Sequence, residues 1–209
     1  MYCDLKNASH KQYLFTIFHR LNTTGIKLNN QEIRNAIYQG TLNDLLNNCN
    51  ENVNWVNILK IDKSKQYRFS KQELILRFFA FYDFAETYKI PLTRFLNNYM
   101  NKHQKASTKF VIDKQILFNR TIKVIDEKLS ILEKDSNVVI ESLLVGCAKN
   151  IDFIENLSDL DFKNRFSALL SHTAFAPNNM QSGLYQQDKL AARLAAATLY
   201  FSSNFQLPI

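Results

Sequence analysis

Four glycines and three prolines in 209 residues leave this chain almost without the residues that break helices or make tight turns. In a helix interior glycine costs roughly 1 kcal/mol and proline about 3 kcal/mol relative to alanine, so a sequence that avoids both can stay helical over long stretches. Turn-rich β folds need the opposite, a steady supply of both at their turns. The expected fold is therefore mainly α, a multi-helix bundle. A hydrophobic fraction of 46% with 12% aromatics supplies a core and excludes a disordered chain. One helical domain over residues 1–209 is expected, although the length admits two small ones.

The apolar pattern places the helices. Ser70-x-x-Glu73 is a capping-box pattern, in which two side chains satisfy free amides at a helix start. It opens the most hydrophobic segment, about Lys71–Lys89, where Leu74, Phe78, Phe81, Tyr82, Ala85 and Tyr88 form one stripe and Ile75, Leu76, Phe79 and Phe84 cover other faces. A helix apolar on several sides is a central one. Its aromatics at helical spacing read as packing residues, not as a base-binding pocket. Ile90–Pro91 ends it, because proline disfavours helix in the residue before it.

Further helices are expected over Thr41–Asn48, Thr93–Gln104, Lys109–Leu132, Val138–Ala148 and Ile151–Leu170, and Val53–Ile61 supplies the apolar Trp55, Val56, Ile58 and Leu59. Trp55 reads as a core anchor. Phe118, Ile122, Ile125, Leu129 and Leu132 repeat at the steps a bundle helix requires, with Arg120, Lys123, Lys128, Asp126 and Glu127 outside. Residues 47–57 and Asp62–Gln66 contain loops. Pro177–Gly183 is a polar break before a last helix, about Gln187–Ser202 within the C-terminal stretch 184–209, and its Ala191, Ala192, Ala195, Ala196 and Ala197 call for close packing against a neighbour. At the other end, His10–Phe18 reads as a short strand or as the end of a helix, with Leu14, Phe15 and Ile17 short of packing partners.

Turn chemistry and helix signals coincide in Ile17–Gly40. Asn22, Thr23, Thr24 and Gly25 form a turn cluster, in which Gly25 can take a positive φ without a Cβ clash. Asn29 or Asn30 stands where an N-cap belongs, and Asn29 with Glu32 resembles a capping box. The next helix, roughly Asn30–Gln39, presents Ile33, Ala36 and Ile37 on one face, keeps Gln31, Glu32, Arg34 and Asn35 mainly off it, and stops at Gly40 as its C′ residue. Arg20 can pair with phosphate oxygens through its planar guanidinium, and the amides around Thr23–Gly25 can form a small anion-binding concavity. Gln31 and Arg34, at a helix start where the dipole favours anions, would complete a nucleotide- or DNA-facing wall. The alternative is an Arg20–Glu32 ion pair that fixes the turn against the helix.

The run Phe18-x-Arg20-Leu21-Asn22-Thr23-Thr24-Gly25-x-x-Leu28-Asn29-x-Gln31-Glu32-Ile33-Arg34-Asn35-Ala36 resembles the segment F-x-R-L-N-T-x-G-x-x-L-x-x-Q-E-(L/I)-R-N-A of the GmrSD-type restriction endonuclease N-terminal domain family. Weaker agreement continues through Phe69-Ser70-x-x-Glu73-Leu74-Ile75-Leu76-Arg77-Phe78-Phe79-Ala80 and through Leu92-Thr93-x-Phe95-Leu96-Asn97-x-Tyr99-Met100. The resemblance implies a prokaryotic restriction or phage-defence context, with nucleotide-dependent action on foreign DNA. In that family a ParB-like α/β core carries an Asp-Gly-Gln-Gln-Arg motif upstream of the arginine–asparagine loop. The residues before Ile17 do not spell that motif. The resemblance thus covers the helical second half alone, as in a truncated or split member that is noncatalytic by itself. Its partner would be the missing ParB-like half. An NTP and magnesium would belong to the complete protein, and no cofactor is expected in this chain.

A net charge of +7 and a pI near 9.2 suit a nucleic-acid partner, since Lys and Arg near phosphates release counterions, but the charges form no long block. Cys3, Cys49 and Cys147 are widely spaced and read as reduced thiols of a cytoplasmic protein. His10, His19, His103 and His172 are scattered, so no metal site is expected. No apolar run approaches membrane-spanning length, and no membrane partner is expected. His172-Thr-Ala-Phe-Ala-Pro177 invites comparison with HNH nucleases, but the spacing is wrong and no second histidine comes after it. No catalytic residue is named. The alternative to a split restriction protein is an independent helical module that binds DNA or a partner protein.

Overall fold

The computed structural model describes residues 8–21, 28–61, 67, 69–129, 132 and 136–207. Among them every regular element is a helix. The order is α1 (Ala8–Leu21), α2 (Asn30–Ile37), α3 (Thr41–Asn50), α4 (Val53–Ile58), α5 (Ser70–Phe84), α6 (Leu92–His103), α7 (Thr108–Leu129), α8 (Asn137–Lys149), α9 (Ile151–Ile154), α10 (Asp159–Leu170), α11 (Pro177–Met180) and α12 (Gln187–Tyr200). Short 3-10 turns succeed α5 at Ala85–Thr87 and α10 at Thr173–Phe175. The expected loop at Asp62–Gln66 lies outside the described residues.

The core is built around α5 and α8, as their lack of a polar face requires. Leu74, Ile75, Leu76, Phe78, Phe79 and Phe81 of α5 are all buried, and so is every residue of α8 from Val138 to Ala148. Trp55 is fully buried, packs edge-on to Phe118 at 5.8 Å between ring centroids, and donates its indole N–H to Asn50 at 3.3 Å. Helix α12 lies along α8, and the alanines explain why it fits. A Cβ added to Gly146 would stand 2.6 Å from the Ala197 carbonyl oxygen, so the two helices approach where neither carries a bulky group.

Several boundaries differ from the sequence reading. His10–Phe18 lies within α1 and forms no strand, because Lys11 and Phe15, one helical turn apart, share a buried face. Phe15 is therefore packed, while Leu14 and Ile17 are half-buried. The helix expected over Ile151–Leu170 is two, because Ser158 caps a new start by accepting from the Asp161 amide at 3.1 Å. Gly40 is the N-cap of α3, not the C′ residue of α2. Its φ of 146° and its contact with the end of α6 both demand glycine, since a Cβ there would meet the Gln104 carbonyl oxygen at 2.2 Å. Lys128, placed outside by its charge, is buried and donates to the Leu157 carbonyl at 2.7 Å. Arg120 does lie on a solvated face, paired with Asp152 and Glu155 at 2.6 Å each.

Candidate functional site

Of the loop candidates, Arg20 falls in the last turn of α1, and nothing of its side chain is described; Asn22, Thr23, Thr24 and Gly25 lie outside the described residues. The start of α2 follows at Asn29. Asn29 is the N-cap of α2: its side-chain oxygen accepts from the Glu32 amide at 2.9 Å, and the Glu32 carboxylate accepts from the Asn29 amide at 2.6 Å. The capping box read from the sequence is present.

Gln31, Arg34 and Asn35 occupy one side of α2, three and four residues apart. Gln31 and Arg34, expected in a nucleotide- or DNA-facing wall, are each only 1% exposed and turn their polar groups into the fold. Gln31 donates to Asn35 at 2.9 Å and to Gln72 of α5 at 3.1 Å, and accepts from Arg34 Nε at 2.8 Å. Asn35 donates to the same Gln72 oxygen at 2.7 Å, and Gln72 donates onward to Asn47 of α3 at 2.6 Å. Arg34 is ion-paired with Glu73. A buried guanidinium needs such a partner, because an unpaired charge pays its full desolvation cost. Burial brings the Arg34 pKa down to about 10 against the pull of Glu73, which leaves it cationic at neutral pH.

Glu73 is thus not the second half of a capping box. Ser70 is the first residue of α5, its N-cap is Phe69 in a left-handed conformation with φ 61°, and no side chain caps that end. Glu73 instead joins Arg34 to Arg77, one turn further along α5. Arg77 faces Glu141 of α8 at 3.6 Å and donates to the Tyr185 hydroxyl, which donates to Glu141 at 3.1 Å. Burial pushes the Glu141 carboxyl up to about 7, against the opposing pull of Arg77 and Arg193. A line of charges therefore runs from α2 through α5 into α8.

Sequence reasoning missed Gln72, Arg77, Glu141 and Tyr185, and read Glu73 as a cap. The available signal was the presence of polar residues within the two most apolar helices, where each needs a buried partner. Chemically the arrangement fastens one helix to another. Its carboxylates are engaged by arginines, and its amides complete one another.

His172, whose sequence context invites comparison with nuclease histidines, accepts from the Ala174 amide at 3.1 Å and so caps a 3-10 turn. Among the described residues no group of three or more His, Cys, Asp or Glu side chains converges as a metal site would require. Cys49 and Cys147 are buried free thiols; burial pushes Cys49 up to about 12 and Cys147 well above its ordinary range. Cys3 lies outside the described residues. No described helix is long and apolar enough to cross a membrane. No family model, curated protein or solved structure matches the chain.

Proposed function

We propose that this chain is the helical half of a nucleotide-dependent DNA-restriction protein of the GmrSD type, noncatalytic by itself, which presents Arg20, at the end of α1, and the following Asn22–Gly25 segment to a ParB-like α/β core. One observation carries the reading: of the three segments that resemble the family pattern, the first two are bonded to each other through α2 and α5, and the third is bonded to α1, the helix before the loop. Gln31, Arg34 and Asn35 of the first segment bond Gln72 and Glu73 of the second. Asn97 of the third donates to Gln12 of α1 at 3.2 Å. The loop is thus bracketed by α1 and α2, each tied by polar contacts to a different part of the pattern. Gln31 and Arg34 serve it by fixing α2. Arg20, Asn22, Thr23, Thr24 and Gly25 are the residues offered to nucleotide or DNA.

The nucleotide and its magnesium belong to the assembly with the core. The described residues of this chain do not fit a magnesium site, since no carboxylate cluster converges, and no step is assigned to one. The test is to co-express the chain with a ParB-like core and titrate a fluorescent ATP or GTP analogue. Expected are a stable complex, nucleotide binding absent from this chain alone, and weaker binding with Arg20→Ala at unchanged melting temperature. Failure to form a complex, or equal nucleotide binding by the core with and without this chain, overturns the reading. A free-standing DNA-binding module is favoured instead by the exposed Lys102, Lys105 and Lys109 around the α6–α7 turn. That reading requires duplex binding by the chain alone that weakens steeply with salt.

A further inference from the structure

A groove of about 800 Å³ runs along the outer side of α12, away from the polar contact between α2 and α5. Phe84 and Ala85 form one wall, Val145 contributes from α8, and Ala191, Ala195 and Leu199 form the other wall. Its lining is mostly apolar. Leu199 is 51% exposed, and Ala191 and Ala195 are exposed as well.

The ends of the groove carry opposite charge. At the start of α12, Gln187 donates to the Tyr88 carbonyl at 2.8 Å, which brings Glu86 and Asp188 together around an adjoining pocket shared with Ala191 and Leu194. Near the end of α12, Asn150 donates to the Thr198 carbonyl at 2.9 Å, and its neighbour Lys149 enters the groove with its amine 4.4 Å from the Tyr82 ring centroid. Glu86, Asp188 and Lys149 take part in no salt bridge among the described residues, whereas Asp83, which also lines the groove, is paired with Lys114.

Length, width and charge select one kind of occupant. From Asp188 to Tyr200 the helix rises about 18 Å, a little over three turns of an α-helix. Ala191 and Ala195 are one turn apart, exposed and line the groove together with Ala85, so small side chains let a second helix approach at roughly 8 Å between axes. Helices favour acidic side chains in their first turn and basic ones in their last. A helix antiparallel to α12 would bring its acidic end to Lys149 and its basic end to Glu86 and Asp188. We propose that this groove binds an amphipathic helix of a partner protein in that orientation. The proposal is independent of the nucleotide reading, because it uses none of the same residues.

The test is selection of a displayed library of helical peptides, about 15 residues long and varied along one stripe and in both end turns, against the full chain. Selected peptides should carry an acidic first turn and a basic last turn, lose roughly tenfold or more in affinity with Ala195→Arg, and keep it with Leu160→Arg on α10. Ala195 is exposed, so the arginine can be accommodated without disturbing the core; an unchanged melting temperature checks this. Reversing Lys149 to Glu should weaken the selected peptides and favour versions with their end charges exchanged. No selected peptide, peptides without the charge pattern, or undiminished binding to Ala195→Arg would overturn the proposal. So would self-association of the chain that Ala195→Arg abolishes, since the occupant would then be a second copy.

Discussion

Two helix pairs in this molecule are joined by opposite means. Helix α2 meets α5 through amides and charges: Gln31, Arg34 and Asn35 against Gln72 and Glu73. Helix α8 meets α12 at Gly146 and Ala197, where backbone lies directly against backbone, and a polar contact across the pair is left to its end, where Asn150 donates to the Gly146 and Thr198 carbonyls at 2.9 Å each. The dry seam fixes how far apart its helices stand, because any added carbon collides. The polar seam fixes which residue faces which, because Gln31 and Asn35 converge on the one Gln72 oxygen and Arg34 meets Glu73. Rotating or sliding α2 by one residue would strand a buried arginine, and so the helix next to the candidate loop is held in one register. The distinction matters for a proposed scaffold whose task is to present a loop.

The sharpest way to break the comparison is Glu73→Leu. It strands Arg34 inside the polar seam and should cost about 3–5 kcal/mol in urea unfolding. Adding Arg34→Met to it should recover most of that loss, because replacing both charges is far cheaper than removing one. If the single variant is nearly neutral, the pair is not what fixes α2. The dry seam should yield less: Gly146→Ala pushes a methyl toward the Ala197 carbonyl and should cost about 1–3 kcal/mol, with an unchanged cost when combined with Glu73→Leu.

Acidity acts through two groups outside the contacts just compared, Glu141 where it meets Arg77 and Tyr185, and His103 on α6. The folded-state pKa of Glu141, raised to about 7 from an ordinary 4.5, lends stability that is full below 4.5 and is lost as pH rises through 7. His103 acts in the opposite sense. It stacks on Phe110 at 4.4 Å and also meets Tyr99 and Phe84, and burial, with Lys102 and Lys114 adding to it, lowers its pKa below 6.5 despite Asp83. Its contribution is present above 6.5 and is lost as pH falls below that value. The opposing slopes should partly cancel. Glu141→Gln should expose a loss of stability on acidification, and His103→Phe a gain, both read from melting temperature between about pH 5 and 8. The smallest effect expected is Ser158→Ala, which removes only a local cap at α10 and should cost about 1 kcal/mol without coupling to either seam.

Most of the fold was legible because helix periodicity is a property of each segment alone. The central position of α5, the burial of Trp55, the capping box at Asn29 and the close packing of the alanine-rich α12 all came from local pattern. What the sequence hid were relations between segments. Ser70-x-x-Glu73 has the spacing of a cap, but the carboxylate is drawn off by Arg34, which lies far away in sequence and close in space. Gln31 and Arg34 looked like surface residues because polarity usually means exposure; here α5 supplies the complementary groups that make burial tolerable. The break between α9 and α10 was masked by an apolar pattern that runs on through Leu157, with Ser158 too brief a signal.

Gln104 gathers three turns of the chain at one side chain and one carbonyl. Its amide donates to the Gln39 carbonyl at 2.7 Å, its side-chain oxygen accepts from Lys11 of α1, and its backbone oxygen stands against Gly40 and accepts from Thr41 at 3.4 Å. The ends of α2 and α6, the start of α3 and the body of α1 are consequently fastened at a common rivet. Amides around all of these should exchange with solvent deuterium as one cooperative group, opening together or not at all, although they are far apart along the chain. A protease seeking an entry into the N-terminal third would thus meet one gate where the order of helices suggests three.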